Sequence, residues 1–267
     1  MKNGITMLPE TKPILFKTPP EFESIEIFPV HDLHYGNNKF QKAKWDALKK
    51  EILKQPNRYV IWVGDLMENA IPTSKSSVFE QTCSPMEQRE YITQQFIDLK
   101  DRTISVDDGN HEYNRSTKAA GLFPLYDCCC IAGISDRYRS AFSIIDISVG
   151  SNSDYHAKNQ LHYTIFATHV AKSLKNFASC DELEGIDIFL CGHDHEPADR
   201  PRAKLVYNQM RRTVSIKNIE NINCGSFLDW AGGYASRQGL RPKSEKFYKI
   251  ILNGRNEKKI TTCGFYI

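Results

Sequence analysis

No stretch of eighteen consecutive apolar residues occurs in the 267-residue chain, which excludes a membrane-spanning helix of ordinary length. Residues 1–20 mix Lys, Glu and Pro and lack the apolar core and cleavage pattern of a secretory signal, so the sequence predicts a cytoplasmic protein without membrane contacts. Cysteine is sparse, with eight residues and no Cys-x-x-Cys pair, which argues against both a disulfide framework and a structural zinc or iron–sulfur site. Even the run Cys128-Cys129-Cys130 reads as core packing, because consecutive side chains diverge. Charge of one sign is also scarce. Thirty-five basic against thirty-two acidic residues leave +3, too small an excess to identify nucleic acid as a partner. The last third holds Arg200, Arg202, Lys204, Arg211, Arg212, Lys217, Arg237, Arg241, Lys243 and Lys246, which could favour an anionic ligand. Taken singly, each is an ordinary solvated cation.

What remains is an ordinary globular composition, 40% hydrophobic and 25% charged. The length fits one domain over residues 1–267, with residues 1–20 set apart as an N-terminal extension. Ile25–Val30 reads as a strand, and Trp45, Leu48 and Ile52 recur at helical spacing within Lys39–Lys54. The pattern repeats with a strand at Tyr59–Val63, a helix at Met86–Leu99 and a strand at Thr103–Val106. Further strand-like runs cover Ala141–Ile147, His162–Ala167, Ile186–Leu190 and Thr213–Ile216, and Tyr248–Leu252 with Ile260–Phe265 reads as a hairpin. A polar turn is expected from Gly150 to Asn159, and a surface loop from Ala231 to Ser244. Early alternation and late short connections predict an α/β fold of two packed mixed sheets with helices outside.

The chemistry-bearing residues sit directly after these strands. Asp32 and His34 follow the first, Asp65 the second, Asn110 and His111 the third, while His169 and the pair His193 and His195 follow two later ones. Each piece alone has little diagnostic value, since Asp-x-His and Gly-Asp are common and a single histidine is usually structural. Together they matter, because sheets gather ligands at one end of their strands. Carboxylates supply hard oxygen ligands and can bridge two cations, and imidazoles favour a transition metal over calcium or magnesium. The set therefore points to two divalent ions, with manganese, zinc, iron or cobalt fitting the donors.

The blocks Asp32-Leu33-His34, Gly64-Asp65, Gly109-Asn110-His111-Glu112, His169 and Gly192-His193-Asp194-His195 stand in the order of the calcineurin-like metallophosphoesterases, which this sequence resembles over about 165 residues. The resemblance implies a four-layer αββα sandwich. It implies one ion held by Asp32, His34, Asp65 and His195, and another held by Asp65, Asn110, His169 and His193, with Asp65 shared. Water activated between the ions would attack phosphorus, so no protein nucleophile is needed. His111 is implied as the group that stabilises the transferring phosphoryl or protonates the leaving oxygen. Glu68 stands, one methylene longer, where family members often carry an Asp that orients this histidine; the resemblance implies that role for it, with a solvated carboxylate as the alternative. His31, beside Asp32, is expected to point to the other side in a supporting role. His156 and His162 match no block, Asp194 is expected to face away, and Asp107 and Asp108 suit a turn or a supporting shell. Asn223-Cys224-Gly225-Ser226 resembles the family's short Asn-x-Gly-Ser element.

Where protein phosphatases of the family carry Asp-Arg-Gly, this chain has Glu68-Asn69-Ala70, which disfavours protein dephosphorylation. The expected activity is phosphodiesterase or phosphomonoesterase action on a nucleotide or nucleic-acid end, with Tyr35, Tyr113 and Trp230 as candidates to stack on a base. The alternative is a module that keeps the metal centre to bind nucleic acid or a partner without turnover. No coiled-coil heptad is evident, and the oligomeric state is not legible.

Overall fold

A computed structural model describes residues 9–74, 76–150, 160–169, 183–255 and 257–267. The expected turn at 151–159, with His156, and Cys180 lie outside the described residues. The elements in chain order are β1 (Ile14–Lys17), β2 (Ser24–Val30), α1 (Lys42–Leu53), β3 (Arg58–Val63), α2 (Pro85–Asp98), β4 (Thr103–Asp107) and the single turn α3 (Asn110–Glu112). They continue with α4 (Lys118–Ala120), α5 (Pro124–Ala132), β5 (Tyr138–Arg139), β6 (Phe142–Val149), β7 (Leu161–Thr168) and β8 (Ile188–Cys191). The rest are β9 (Ala198–Asp199), β10 (Arg202–Asn208), β11 (Thr213–Asn223), α6 (Tyr234–Arg237), β12 (Phe247–Asn253) and β13 (Ile260–Phe265).

Two mixed sheets pack face to face. The first runs β1-β6-β7-β8-β11-β10, with β9 also on β11, and the second runs β13-β12-β2-β3-β4-β5. Ile25, Ile27, Ile61 and Val63 of the second sheet meet Ile145, Ile147, Ile165, Ile188 and Leu190 of the first in the inter-sheet core. A shift of register in the β3–β4 pairing turns Ile104 toward this core and Val106 toward the helices.

The helices α1, α2 and α5 cover the outer face of the second sheet. Trp45, Leu48 and Ile52 of α1 and Ile92 and Phe96 of α2 pack on Phe28, Val60 and Trp62. The 3.6-residue spacing of those apolar positions is why these segments form helices here. Helix α2 starts on a capping box, with Ser84 Oγ accepting from the Glu87 N–H and the Glu87 carboxylate accepting from the Ser84 N–H at 2.7 Å. The cysteine run lies on α5, with Cys128 and Cys129 buried and Cys130 exposed, and burial raises both buried thiols, Cys128 to about 12. They are inert packing, as expected. Phe166, Phe189 and Ile219 line the outer face of the first sheet. The second helical layer of the αββα expectation has no helix among the described residues there.

Three features differ from the sequence reading. Within the segment set apart as an extension, Ile14–Lys17 pair in parallel with β6, because Ile14 reaches the inter-sheet core. Thr213–Asn223 is one long strand of 11 residues whose first half forms an exposed hairpin with β10. The expected loop 231–244 contains α6. No helix among the described residues is long and apolar enough to cross a membrane.

Candidate metal centre

Strands β2, β3 and β4 are mutually parallel, as are β7, β8 and β11, so their C-terminal ends meet along one rim. Asp32 and His34 leave β2, Asp65 leaves β3, Asn110 and His111 follow β4, His169 ends β7, and His193 and His195 follow β8. All of these predicted residues converge. The backbone turns sharply to bring them in. Asp32, His34, Asp65, His193 and His195 all adopt positive φ, from 51 to 83°, a conformation uncommon for residues with a side chain. Such strain persists where surrounding structure enforces it, and it concentrates at functional sites.

The glycines of the motifs are explained by close approach. A Cβ on Gly109 would lie 2.1 Å from Asp65 Oδ1, and one on Gly192 would lie 2.4 Å from His169 Nδ1. Both are required by their neighbours' packing rather than by φ.

Hydrogen bonds then fix which atom of each ligand faces the cleft. Cys224 donates its N–H to His31 Nε2 at 2.9 Å, so His31 Nδ1 carries the proton and donates to Asp32 Oδ2 at 2.5 Å. His193 N–H also donates to Asp32 Oδ2, at 2.8 Å. Asp32 Oδ1 is left without a hydrogen-bond partner although fully buried, 3.1 Å from His195 Nε2 and 3.4 Å from His34 Nε2. His169 repeats this arrangement. Its Nδ1 donates to Val63 O at 2.7 Å, and its buried Nε2 has no hydrogen bond, 3.1 Å from Asp65 Oδ2. Asp65 Oδ1 accepts the His111 N–H at 2.7 Å, which leaves Oδ2 for the centre. Asn110 Oδ1 lies 2.6 Å from His193 Nδ1.

One potential ligand atom from each of Asp32, His34 and His195 lies within 4.8 Å of the others, and the same holds for Asp65, His169 and His193. Buried polar atoms without partners are costly, and His34 Nε2 and His195 Nε2 stand only 3.3 Å apart. Cations fit this donor set and would satisfy the orphaned Asp32 Oδ1 and His169 Nε2. The carboxylates are already charged for that task. Burial opposes it, but His195 and His169 hold Asp32 well below the usual range, and His169 and His111 do the same for Asp65. Against the cost of burial, the nearby carboxylates of Asp32 and Glu68 push His34 up to about 10, and those of Asp65 and Asp32 push His169 up to about 9.

No protein-family model matches this sequence. No curated protein matches it either. Among solved structures, a predicted phosphoesterase from Streptococcus pneumoniae TIGR4 is 14% identical, covering 90% of this chain and 88% of that one with a TM-score of 0.38. Zinc-complexed Vps29 from Entamoeba histolytica is 12% identical, covering 90% and 99% at 0.38, and Vps29 from Chaetomium thermophilum is 10% identical, covering 91% and 98% at 0.36. Likeness at this level says nothing about activity.

His111 and Glu68 meet differently from the expectation. His111 Nδ1 donates to the Glu68 main-chain oxygen at 2.9 Å, while the Glu68 carboxylate comes no nearer than 3.9 Å. That carboxylate is occupied by Arg115 at 3.0 Å, Asn37 at 3.0 Å and His34 Nδ1 at 3.4 Å. The longer side chain reaches past the histidine toward Arg115. Burial, reinforced by His34 and Arg115 and opposed by Asp65, pushes His111 down to about 4. Its Nε2 makes no hydrogen bond to a described residue and stands 3.7 Å from Asp65 Oδ2.

Sequence reasoning passed over Glu112. This fully buried carboxylate accepts four backbone N–H bonds, from Asp65 and Gly109 on Oε2 at 3.0 Å each, and from Leu66 and Met67 on Oε1 at 2.8 and 3.0 Å. It clamps the Asp65 loop to the Asn110 loop, and its position three residues after Gly109 was the available signal. Burial and Asp65 raise its pKa while the N–H donors oppose that rise. Glu112→Gln turns an amide donor toward two of those N–H groups, so the variant is expected to lose about 3 kcal/mol of stability, read as a lower urea midpoint at unchanged slope.

Other expectations resolve individually. Ser226 Oγ donates to Asp32 O at 3.1 Å, so the Asn-Cys-Gly-Ser segment braces the Asp32 turn through Cys224 and Ser226. Asp107 and Asp108 are buried beside Ser143 and Tyr138 rather than in the cleft, and burial raises both, Asp107 to about 8. Tyr35 stacks on Tyr91 in the helix-side core, with ring centroids 3.6 Å apart, and does not line the cleft. The cleft over the centre, about 560 Å³, is walled by Thr73, Ser74, Ser76, Asn114 and Arg115. Of the ten basic positions in the last third, Arg241 and Lys243 border the neighbouring cleft, whereas Arg202, Lys204 and Lys217 belong to the β10–β11 hairpin.

Proposed function

We propose that this protein hydrolyses phosphoester bonds at a centre of two divalent transition-metal ions, acting on a nucleotide or nucleic-acid end, as a single cytoplasmic domain. The observation that supports the reading is a pair of buried atoms without hydrogen bonds, Asp32 Oδ1 and His169 Nε2, which face each other at 3.8 Å, the latter 3.1 Å from Asp65 Oδ2. Asp32, His34, Asp65 and His195 would hold one ion, and Asp65, Asn110, His169 and His193 the other. Bound there, the ions would supply Lewis-acid stabilisation of phosphoryl charge and an activated water.

The chain's own residues supply the rest. His31 and His193 hold Asp32 through Oδ2, so its other oxygen keeps one direction without rearrangement. Glu112 fixes the spacing between the Asp65 and Asn110 loops. Hydroxyl, amide and guanidinium donors on Ser76, Asn114 and Arg115 suit an acceptor-rich phosphate, which offers oxygens and no proton donors. His111 Nε2 is the ring nitrogen left to meet a phosphoryl or leaving oxygen.

The test is a chelator-stripped protein reloaded with manganese, zinc, iron or cobalt and assayed on bis-para-nitrophenyl phosphate and para-nitrophenyl phosphate. The expected result is up to two ions per chain and metal-dependent release of nitrophenolate from at least one ester. Two bound ions with neither ester cleaved would favour the module that binds without turnover.

A further inference from the structure

A second cleft of about 400 Å³ opens off the metal centre and shares Asn37, His193, His195 and Leu228 with it. The volume is in the range of small-molecule sites. One wall is apolar, made by Leu228, Ala235 and Leu240 around the half-exposed indole of Trp230. That indole is pinned, because its Nε1–H donates to Leu240 O at 2.8 Å. With its only donor used, what Trp230 offers a ligand is its π-face. The opposite character comes from Lys39, Arg241 and Lys243, which share the lining with the carboxylates of Asp194, Asp229 and Glu245, the last paired with Lys44 at 3.3 Å. Glu196 partly neutralises Arg241 and Lys243, at 2.9 and 2.7 Å, whereas Lys39 makes no ion pair with a described residue.

A flat aromatic wall beside cations, continuous with a phosphate-sized cleft, matches one kind of molecule: a heteroaromatic base carried on an anionic backbone. Resting on the phosphoesterase reading above, we infer that this cleft is a nucleobase subsite, with the base on Trp230, Lys39 toward an anionic group of the same ligand, and the ester phosphorus over the metal centre. It would make the preferred substrate a nucleotide ester rather than a small alkyl or aryl phosphate.

The experiment uses the metal-loaded full chain. Adenosine, which has no phosphate to hydrolyse, is titrated while tryptophan emission is followed with excitation at the red edge of the indole band. Trp45 and Trp62 are fully buried, so a saturable change reports Trp230. Saturable quenching is expected in the native protein, and calorimetric titration with adenosine, which needs no indole, is expected to give binding roughly tenfold weaker in Trp230→Ala and partly restored in Trp230→Phe, in line with base–aromatic stacking. In parallel, kcat/KM is compared for thymidine 5′-para-nitrophenyl phosphate and methyl para-nitrophenyl phosphate. The preference for the nucleoside ester should fall roughly tenfold in Trp230→Ala, mainly through KM. Absence of saturable quenching, or an unchanged preference between esters, overturns the subsite whatever the catalytic outcome. Adenosine binding that weakens in Trp230→Ala by calorimetry, in a protein that cleaves neither ester, upholds the subsite and removes the phosphoesterase reading.

Discussion

Asp65→Asn is expected to bind neither ion with the native affinity and to lose roughly 10³-fold in phosphoester turnover, the consequence of several kcal/mol of lost charge stabilisation. The expectation follows from position. Asp65 Oδ2 lies beside His169 Nε2 at 3.1 Å and His111 Nε2 at 3.7 Å, while Asp65 Oδ1 receives the His111 N–H. Losing one unit of negative charge between two cations weakens both, whereas replacing a ligand of one ion alone, such as His195, should reduce one occupancy first. The amide is nearly isosteric, and the loop is held from outside by Glu112, so the variant should fold. Elemental analysis, paired with thermal unfolding to confirm the fold, decides the point. A folded variant that retains two tight ions and full activity would remove Asp65 from the shared position.

His111→Ala is expected to keep its metal content and to lose roughly 10²- to 10⁴-fold in turnover of an ester with a strongly basic leaving group, the range of a lost general acid. A para-nitrophenyl ester should suffer less, since nitrophenolate departs without a proton. The structure sharpens this expectation, because Nδ1 is committed to the Glu68 carbonyl and only Nε2 is available to a reacting oxygen. Equal losses on both esters would mean that His111 stabilises phosphoryl charge as a neutral donor, in keeping with the burial that pushes it down to about 4 before any cation is bound. Loss of an ion would make it a ligand. Glu68→Gln should have a much smaller effect on either rate, because the contact that holds the imidazole is made by the main chain, which the substitution leaves in place.

Much of the site was legible because it is built from strand ends. Polar residues that follow apolar runs must emerge at the rim of a sheet, and parallel neighbours put those rims together, so Asp32, Asp65, Asn110, His169 and His195 could be grouped before any coordinates. The helices carrying Trp45 and Ile92 were equally readable from period. Residues whose importance lies in contacts made across the fold were not. The spacing of Glu112 from Gly109 signalled a local cap, but not that its carboxylate would also gather the N–H groups of Asp65, Leu66 and Met67. His31 gave no sign that the Cys224 amide, 193 positions later, would fix its tautomer and so turn Asp32 Oδ1 toward the centre.

The sequence by itself determined most of the element types, the layered α/β class and which side chains gather at the strand ends, because periodicity and donor chemistry are local properties. Only the tertiary structure decided which oxygen or nitrogen of each side chain is left without a hydrogen bond, that Ile14–Lys17 belong to a sheet, that Glu68 holds His111 through its carbonyl, and that Trp230 rather than Tyr35 lines the cleft beside the centre. Those outcomes depend on hydrogen-bond partners and close backbone approaches between segments far apart in the chain, which no local pattern encodes.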